Sequence, residues 1–239
     1  MLTWTSAAVT DVGTRRKINE DSMLELPRMG LWVVADGMGG HAAGDYASQK
    51  ITTDFKTLEI RNRPLPDIID DMEDRLLAIN QHLLTYARER NVPVVGSTMV
   101  ALLLTERVGV CMWIGDSRLY RCHQQQISRI SSDHSLVQAM VDQGTLREDE
   151  AQDHPSRNVI TRAVGADLHI YPEIRVFKPA PGDGFLLCTD GLYGEVHEMD
   201  ILDLIIGLNA KDAAESLLDV ALHDGADDNV TLIVIKIRD

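Results

Sequence analysis

STMVALLLTERVGVCMWIGDSRLYRCHQQQISRI, residues 97–130, decides the fold class. Met99–Leu104 and the run from Val108 through Ile114 are apolar, of strand length, and separated by polar turns. Positions of both parities are apolar, so these strands must be covered on both faces. N-terminal to them, Ala47, Ile51, Phe55 and Leu58 repeat at helical spacing, as do Ile69, Met72, Leu76, Ile79 and Leu83. Pro64 and Pro66 separate the two segments, which reads as a helical hairpin with one apolar face on each helix. Before the hairpin, Trp4–Thr10 reads as a first strand and Leu31–Ala35 as a second, ended by the turn signal Asp36-Gly37.

C-terminal to the quoted stretch, Leu136 to Arg162 is polar after a helical opening and reads as an insertion beside a site. A strand around Ile174–Phe177, the run Phe185–Cys188 and a helical pair follow; the last helix carries Ala214, Leu217, Leu218 and Ala221 on one stripe. Thr231–Ile237 is the final strand, and there is no internal repeat or low-complexity linker. Strands in groups with helical pairs between them favour antiparallel sheets covered by helices over a doubly wound parallel sheet.

Bulk properties narrow the function. An apolar share of 44% over 239 residues suits a single compact domain. The net charge of -14 opposes nucleic acid and anionic membranes as partners, because binding phosphates needs clustered Lys and Arg. Cys111, Cys122 and Cys188 have no paired spacing, so neither disulfides nor zinc is expected. The N-terminus lacks a secretory pattern and no apolar run approaches the about 20 residues of a membrane span, so a cytoplasmic protein is expected, and a monomer because no exposed apolar helix or heptad asks for a partner.

Asp36 follows LWVVA, Asp116 follows MWIG, Asp190 follows FLLCT, and Asp228 precedes NVTLIVI. In antiparallel sheets one strand's end lies beside its neighbour's start, so these four carboxylates can meet at one sheet edge. Like charges sharing a poorly solvated pocket require protons or a cation, and an all-oxygen set selects Mg²⁺ or Mn²⁺. A single Asp-Gly is more often only a turn, and Asp183-Gly184 and Asp224-Gly225 read that way.

ADGMGGH (35–41), IGDSR (114–118), CTDGL (188–192), DDNVT (227–231) and RKINED (16–21) occur together, and with them the chain resembles the protein phosphatase 2C family from about Thr10 to Val234. The resemblance implies an α+β fold of two packed antiparallel sheets, a β-sandwich, flanked on both sides by pairs of helices. It implies a serine/threonine phosphatase in which a hydroxide bridging two Mg²⁺ or Mn²⁺ ions attacks phosphoserine or phosphothreonine on proteins, opposing a bacterial Ser/Thr kinase. By the same resemblance Asp36 bridges the ions, the Gly37 carbonyl helps hold one, and Asp190 and Asp228 complete the second. Asp116 would bind a third, weaker ion with Asp190 shared, and Asp21 would orient water. Arg16 would grip the phosphate and His41 would protonate the leaving alkoxide, while residues 137–162 would form a flap. Asp45 stands where the family more often has Glu; Glu20 receives no chemistry and Asn229 a structural role. A non-catalytic scaffold and a hydrolase of nucleic acid or small phosphoesters are the alternatives, the first opposed by the retained motifs and the nucleic-acid form of the second by the acidic charge.

Overall fold

The computed structural model describes residues 2–39, 43–151 and 154–238. Strand β1 (Thr3–Asp11) leads to the hairpin of β2 (Asp21–Leu26) and β3 (Leu31–Met38), then to helices α1 (Gly44–Phe55) and α2 (Leu65–Arg90). The central strands are β4 (Gly96–Ser97), β5 (Met99–Leu104), β6 (Gly109–Ile114), β7 (Arg118–His123) and β8 (Gln126–Arg129). Short helices α3 (Leu136–Asp142) and α4 (Glu148–Ala151) precede β9 (Glu173–Phe177) and β10 (Gly184–Cys188). The chain ends with α5 (Asp190–Tyr193), α6 (Glu198–Gly207), α7 (Ala210–Asp224) and β11 (Val230–Arg238).

The strands form two antiparallel sheets, β1-β11-β10-β7-β8 and β2-β3-β5-β6-β9, with β4 paired to β3. Strand alternation sorts the side chains into three layers. Trp32, Val34, Val100, Leu102 and Trp113 meet Phe185, Leu187, Ile233 and Ile235 between the sheets. Val33, Ala35, Met99, Ala101 and Met112 turn outward and pack under α1 and α2, while Leu186, Cys188, Leu232 and Val234 pack under α6 and α7. Each fully buried Leu, Ile or Val contributes about 1.5–3 kcal/mol, so this α+β sandwich with helices on both sides is held mainly by three continuous apolar layers. All three cysteines are buried free thiols.

Three local expectations are corrected. Asp36-Gly37 is not a turn: β3 runs through both residues to Met38, and Gly37 pairs with Ser97. Pro66 lies inside the first turn of α2, where its missing N–H has no intrahelical partner to lose. The buried stripe of α2 begins at Ile68 rather than Ile69. Strand β2 went unread because Asp21–Leu26 alternates only weakly and sits half-buried at a sheet edge.

Candidate metal centre

The site lies where matching ends of the two sheets meet. In the second sheet, Asp21 and Asp36 are register partners across β2 and β3. The Asp36 backbone is held by its neighbours: its N–H donates to Thr98 Oγ1 at 3.0 Å, and its carbonyl accepts the Thr98 N–H and the Ser97 hydroxyl, each at 2.8 Å. Thr98 Oγ1 also lies 2.7 Å from Ser117 Oγ, which ties Asp36 to the β6–β7 turn bearing Asp116. From the first sheet, Asp190 opens α5 one residue, Thr189, beyond the end of β10, and Asp228 stands just before β11. Thr189 joins the sheets by donating its hydroxyl to Asp21 Oδ2 at 3.0 Å and its N–H to the Thr231 carbonyl at 3.0 Å. The carboxylates thus converge at one end of the sandwich, from both sheets rather than from one sheet edge.

Both glycines of the central Asp-Gly pairs are explained by close approach of backbone. A Cβ on Gly37 would lie 2.1 Å from the Gly44 carbonyl oxygen, and one on Gly191 would lie 2.1 Å from that of Asn229. Gly225, by contrast, has φ +120° and ends α7, so Asp224-Gly225 is the turn it was read to be.

The carboxylates repel one another. Burial, followed by the charges of Asp21, Asp190, Asp116 and Asp228, pushes Asp36 well above the ordinary carboxylate range. Asp116 is raised to about 8 by burial and then by Asp190, and Asp190 to about 6 by burial and then by Asp228. Asp21 rises to about 7 by burial, although the Thr189 hydrogen bond opposes the shift. Asp36 and Asp190 keep part of their surface accessible, yet enough protein surrounds them for desolvation to be the leading cause. Arg16 is the one described cation reaching a ligand candidate directly, with Nη2 donating to Asp228 Oδ2 at 2.6 Å. Its guanidinium is half-exposed.

The structure therefore brings together Asp21, Asp36, Gly37, Asp116, Asp190, Asp228 and Arg16. His41 lies outside the described residues. Glu20 has a role the sequence did not signal: its carboxylate accepts the Gly44 N–H at 3.2 Å, placing an anion at the N-terminus of α1. Asn229 is structural as read, accepting the Glu20 N–H at 2.8 Å and donating to the Val12 and Ile18 carbonyls at 2.9 and 3.0 Å. Sequence reasoning does not find Ser97, Thr98, Ser117 and Thr189; Ser117 and Thr189 carry the signal of a hydroxyl residue adjoining Asp116 and Asp190, whereas Ser97 and Thr98 have no aspartate beside them.

The donor set fits divalent cations. Asp190 Oδ1 is buried without a hydrogen-bond partner among the described residues, an arrangement that costs free energy unless another group satisfies it. Among the described residues no three His, Cys, Asp or Glu side chains close as a ready-made cage. Mg²⁺ and Mn²⁺ do not require one, since such hard ions take one or two carboxylates and retain several waters.

A family model described as Protein phosphatase 2C matches residues 15–224. The serine/threonine protein phosphatase PstP of Mycobacterium tuberculosis is 34% identical over 98% of this chain, which spans 45% of that relative's length. The structure of PppA, described as a key regulatory component of T6SS in Pseudomonas aeruginosa, superposes with a TM-score of 0.91 at 37% identity, covering 98% of each chain. The PstP catalytic domain in complex with two manganese ions superposes with a TM-score of 0.90 at 31% identity, covering both chains fully. With the family model spanning most of its length and the same fold as those phosphatases, this chain belongs to the protein phosphatase 2C family.

Proposed function

We propose that the protein hydrolyses phosphoserine and phosphothreonine on proteins in a Mg²⁺- or Mn²⁺-dependent reaction and opposes a Ser/Thr kinase. The observation that carries this reading is the carboxylate cluster: Asp21, Asp36, Asp116 and Asp190 are all raised by burial and mutual repulsion, and one Asp190 oxygen lacks a partner. Asp36, the Gly37 carbonyl, Asp190 and Asp228 would hold two ions, and Asp116 with Asp190 a weaker third. When bound, the ions supply charge neutralisation at the phosphoryl group and acidify water.

The chain's own residues supply binding and proton transfer. Arg16 sits half-exposed at the mouth with one nitrogen on Asp228, and its remaining N–H groups suit the oxygens of a phosphate. Asp21, which accepts the Thr189 hydroxyl, would orient the attacking water. As water adds to phosphorus and the ester P–O bond breaks, His41 donates a proton to the departing serine or threonine oxygen. We assign residues 1–239 to one catalytic unit with a flap at 137–162, acting as a monomer on phosphoproteins. Among the described residues no helix is long and apolar enough to cross a membrane.

The test is release of phosphate from a phosphothreonine peptide in Mn²⁺, compared with an EDTA-treated sample. Equal rates would defeat the reading. For His41→Ala, phosphothreonine hydrolysis should fall about 100-fold or more while hydrolysis of an aryl phosphate falls much less, since a phenolate leaves without a proton. Equal losses on both substrates would remove His41 from the acid role.

A further inference from the structure

The turn bearing Asp116 is gripped by a segment that the proposed reaction does not use. Gly115 donates its N–H to His134 Nδ1 at 3.1 Å and accepts the His134 N–H at 2.9 Å. Beyond Asp116, Arg118 donates from Nε to Asp133 Oδ1 at 3.0 Å and from Nη2 to Oδ2 at 2.7 Å. This pair is buried, its side chains 16% and 7% exposed, and two-point pairing fixes the guanidinium plane as a lysine ammonium could not. The same guanidinium donates through Nη1 to the Tyr120 hydroxyl at 2.7 Å and lies 3.6 Å from the centroid of the Tyr193 ring. The Tyr193 hydroxyl donates to the Asp116 carbonyl at 3.1 Å, and Tyr193 closes the helical turn that Asp190 opens. One aromatic ring therefore links Arg118 to the backbone of both residues assigned to the weaker ion. In the other direction, Asp133 Oδ2 accepts Arg129 Nη1 at 3.4 Å, and Arg129 Nη2 donates to Gln138 Oε1 at 2.7 Å in α3, where the flap starts.

We propose that Arg118 is a positioning residue that braces Asp116 against Asp190 through Tyr193 and carries the brace through Asp133 and Arg129 into the flap helix α3. The inference rests on the metal reading above and names residues to which that reading gives no role. A guanidinium held by a carboxylate, a hydroxyl and a ring at once has little room to rearrange, so a shift at either end is passed on through the packed array. Because coupling between two sites is reciprocal, occupancy of the weaker ion and the order of α3 should respond to each other.

The experiment is a calorimetric Mn²⁺ titration of the wild type, Asp116→Asn, Tyr193→Phe and Arg118→Lys, paired with hydrogen exchange of the amides of residues 136–142 at zero and saturating Mn²⁺. Asp116→Asn should lose the weakest binding step. Tyr193→Phe removes one hydroxyl, keeps the ring, and should weaken that step about fivefold while leaving the tighter steps unchanged. Arg118→Lys should weaken it further and speed α3 exchange in Mn²⁺-loaded protein; if this variant fails to fold, Tyr193→Phe still decides. An unchanged weakest step in Tyr193→Phe, wild-type binding by Asp116→Asn, or α3 exchange that ignores both Arg118→Lys and Mn²⁺ would overturn the brace. A wild type that binds no Mn²⁺ at all would overturn the metal reading itself, and the brace with it, a failure visible without any variant.

Discussion

The same dipeptide flanks strand β10 on both sides, Asp183-Gly184 at its start and Asp190-Gly191 just past its end, and the two aspartates reach opposite electrostatic solutions. At one end, Asp183 is fully buried and fully compensated. Arg121 Nε and Nη2 meet its oxygens at 3.0 and 2.8 Å, and the Ala180 N–H donates at 2.8 Å. His123 Nδ1 stands 2.8 Å away, though not aligned as a hydrogen bond. At the other end, Asp190 faces Asp21, Asp36, Asp116 and Asp228, with Arg16 reaching only Asp228. Asp190 is the less buried of the two, yet its carboxylate is raised, so what separates a structural aspartate from a ligand candidate is whether the chain brings its own cations.

Exchanging the charge at each end should break different properties. Asp190→Asn should lower phosphopeptide turnover at least about 100-fold with little loss of fold, read as kcat at saturating Mn²⁺. A variant that keeps wild-type turnover would place Asp190 with Asp183 as structural. Asp183→Asn strands the Arg121 charge and should cost about 2–3 kcal/mol, or roughly 4–12 °C in melting temperature, with the Mn²⁺ requirement unchanged. Altered Mn²⁺ dependence in that variant would mean that the two ends are not independent.

Mn²⁺ should stabilise the protein by about 2.7 kcal/mol at one hundred times its dissociation constant, seen as a higher melting temperature. The pH dependence of the metal-free protein has a definite sign. Folded Asp190 and Asp21 hold protons up to about 6 and about 7, whereas the unfolded chain releases them near the ordinary carboxylate value. The folded state therefore binds more protons between those limits, and its stability falls as pH rises through the window. The Mn²⁺ gain should be larger at about pH 8 than at about pH 5; an equal gain would show that the carboxylates are not the groups relieved. The smallest effect is expected for Arg16→Lys, which keeps the charge but loses the planar fork: a rise of about fivefold in KM for the phosphopeptide, with kcat less affected.

Much of this was legible from residue order. Continuous apolar runs such as Met99–Leu104 and Val108 through Ile114 announced strands covered on both faces, and the stripes of α2 and α7 announced helices lying on a sheet. The five motifs pointed to the aspartates that the fold gathers. What could not be read was any pairing across long separation. Thr189 meets Asp21 from 168 residues away, and Asn229 meets Glu20 from 209. Asp36-Gly37 misled because the turn signal assumes that glycine serves a positive φ, whereas here it makes room for another backbone.

By itself, then, the sequence determined the layers, the acid-rich chemistry and the family, because periodicity and residue type are local properties that survive without coordinates. Only the tertiary structure decided which carboxylates are compensated. Asp183 and Asp190 flank one strand in the same dipeptide, and the difference between them is made by Arg121, whose register against β10 places a guanidinium on Asp183 and leaves Asp190 without a direct cation.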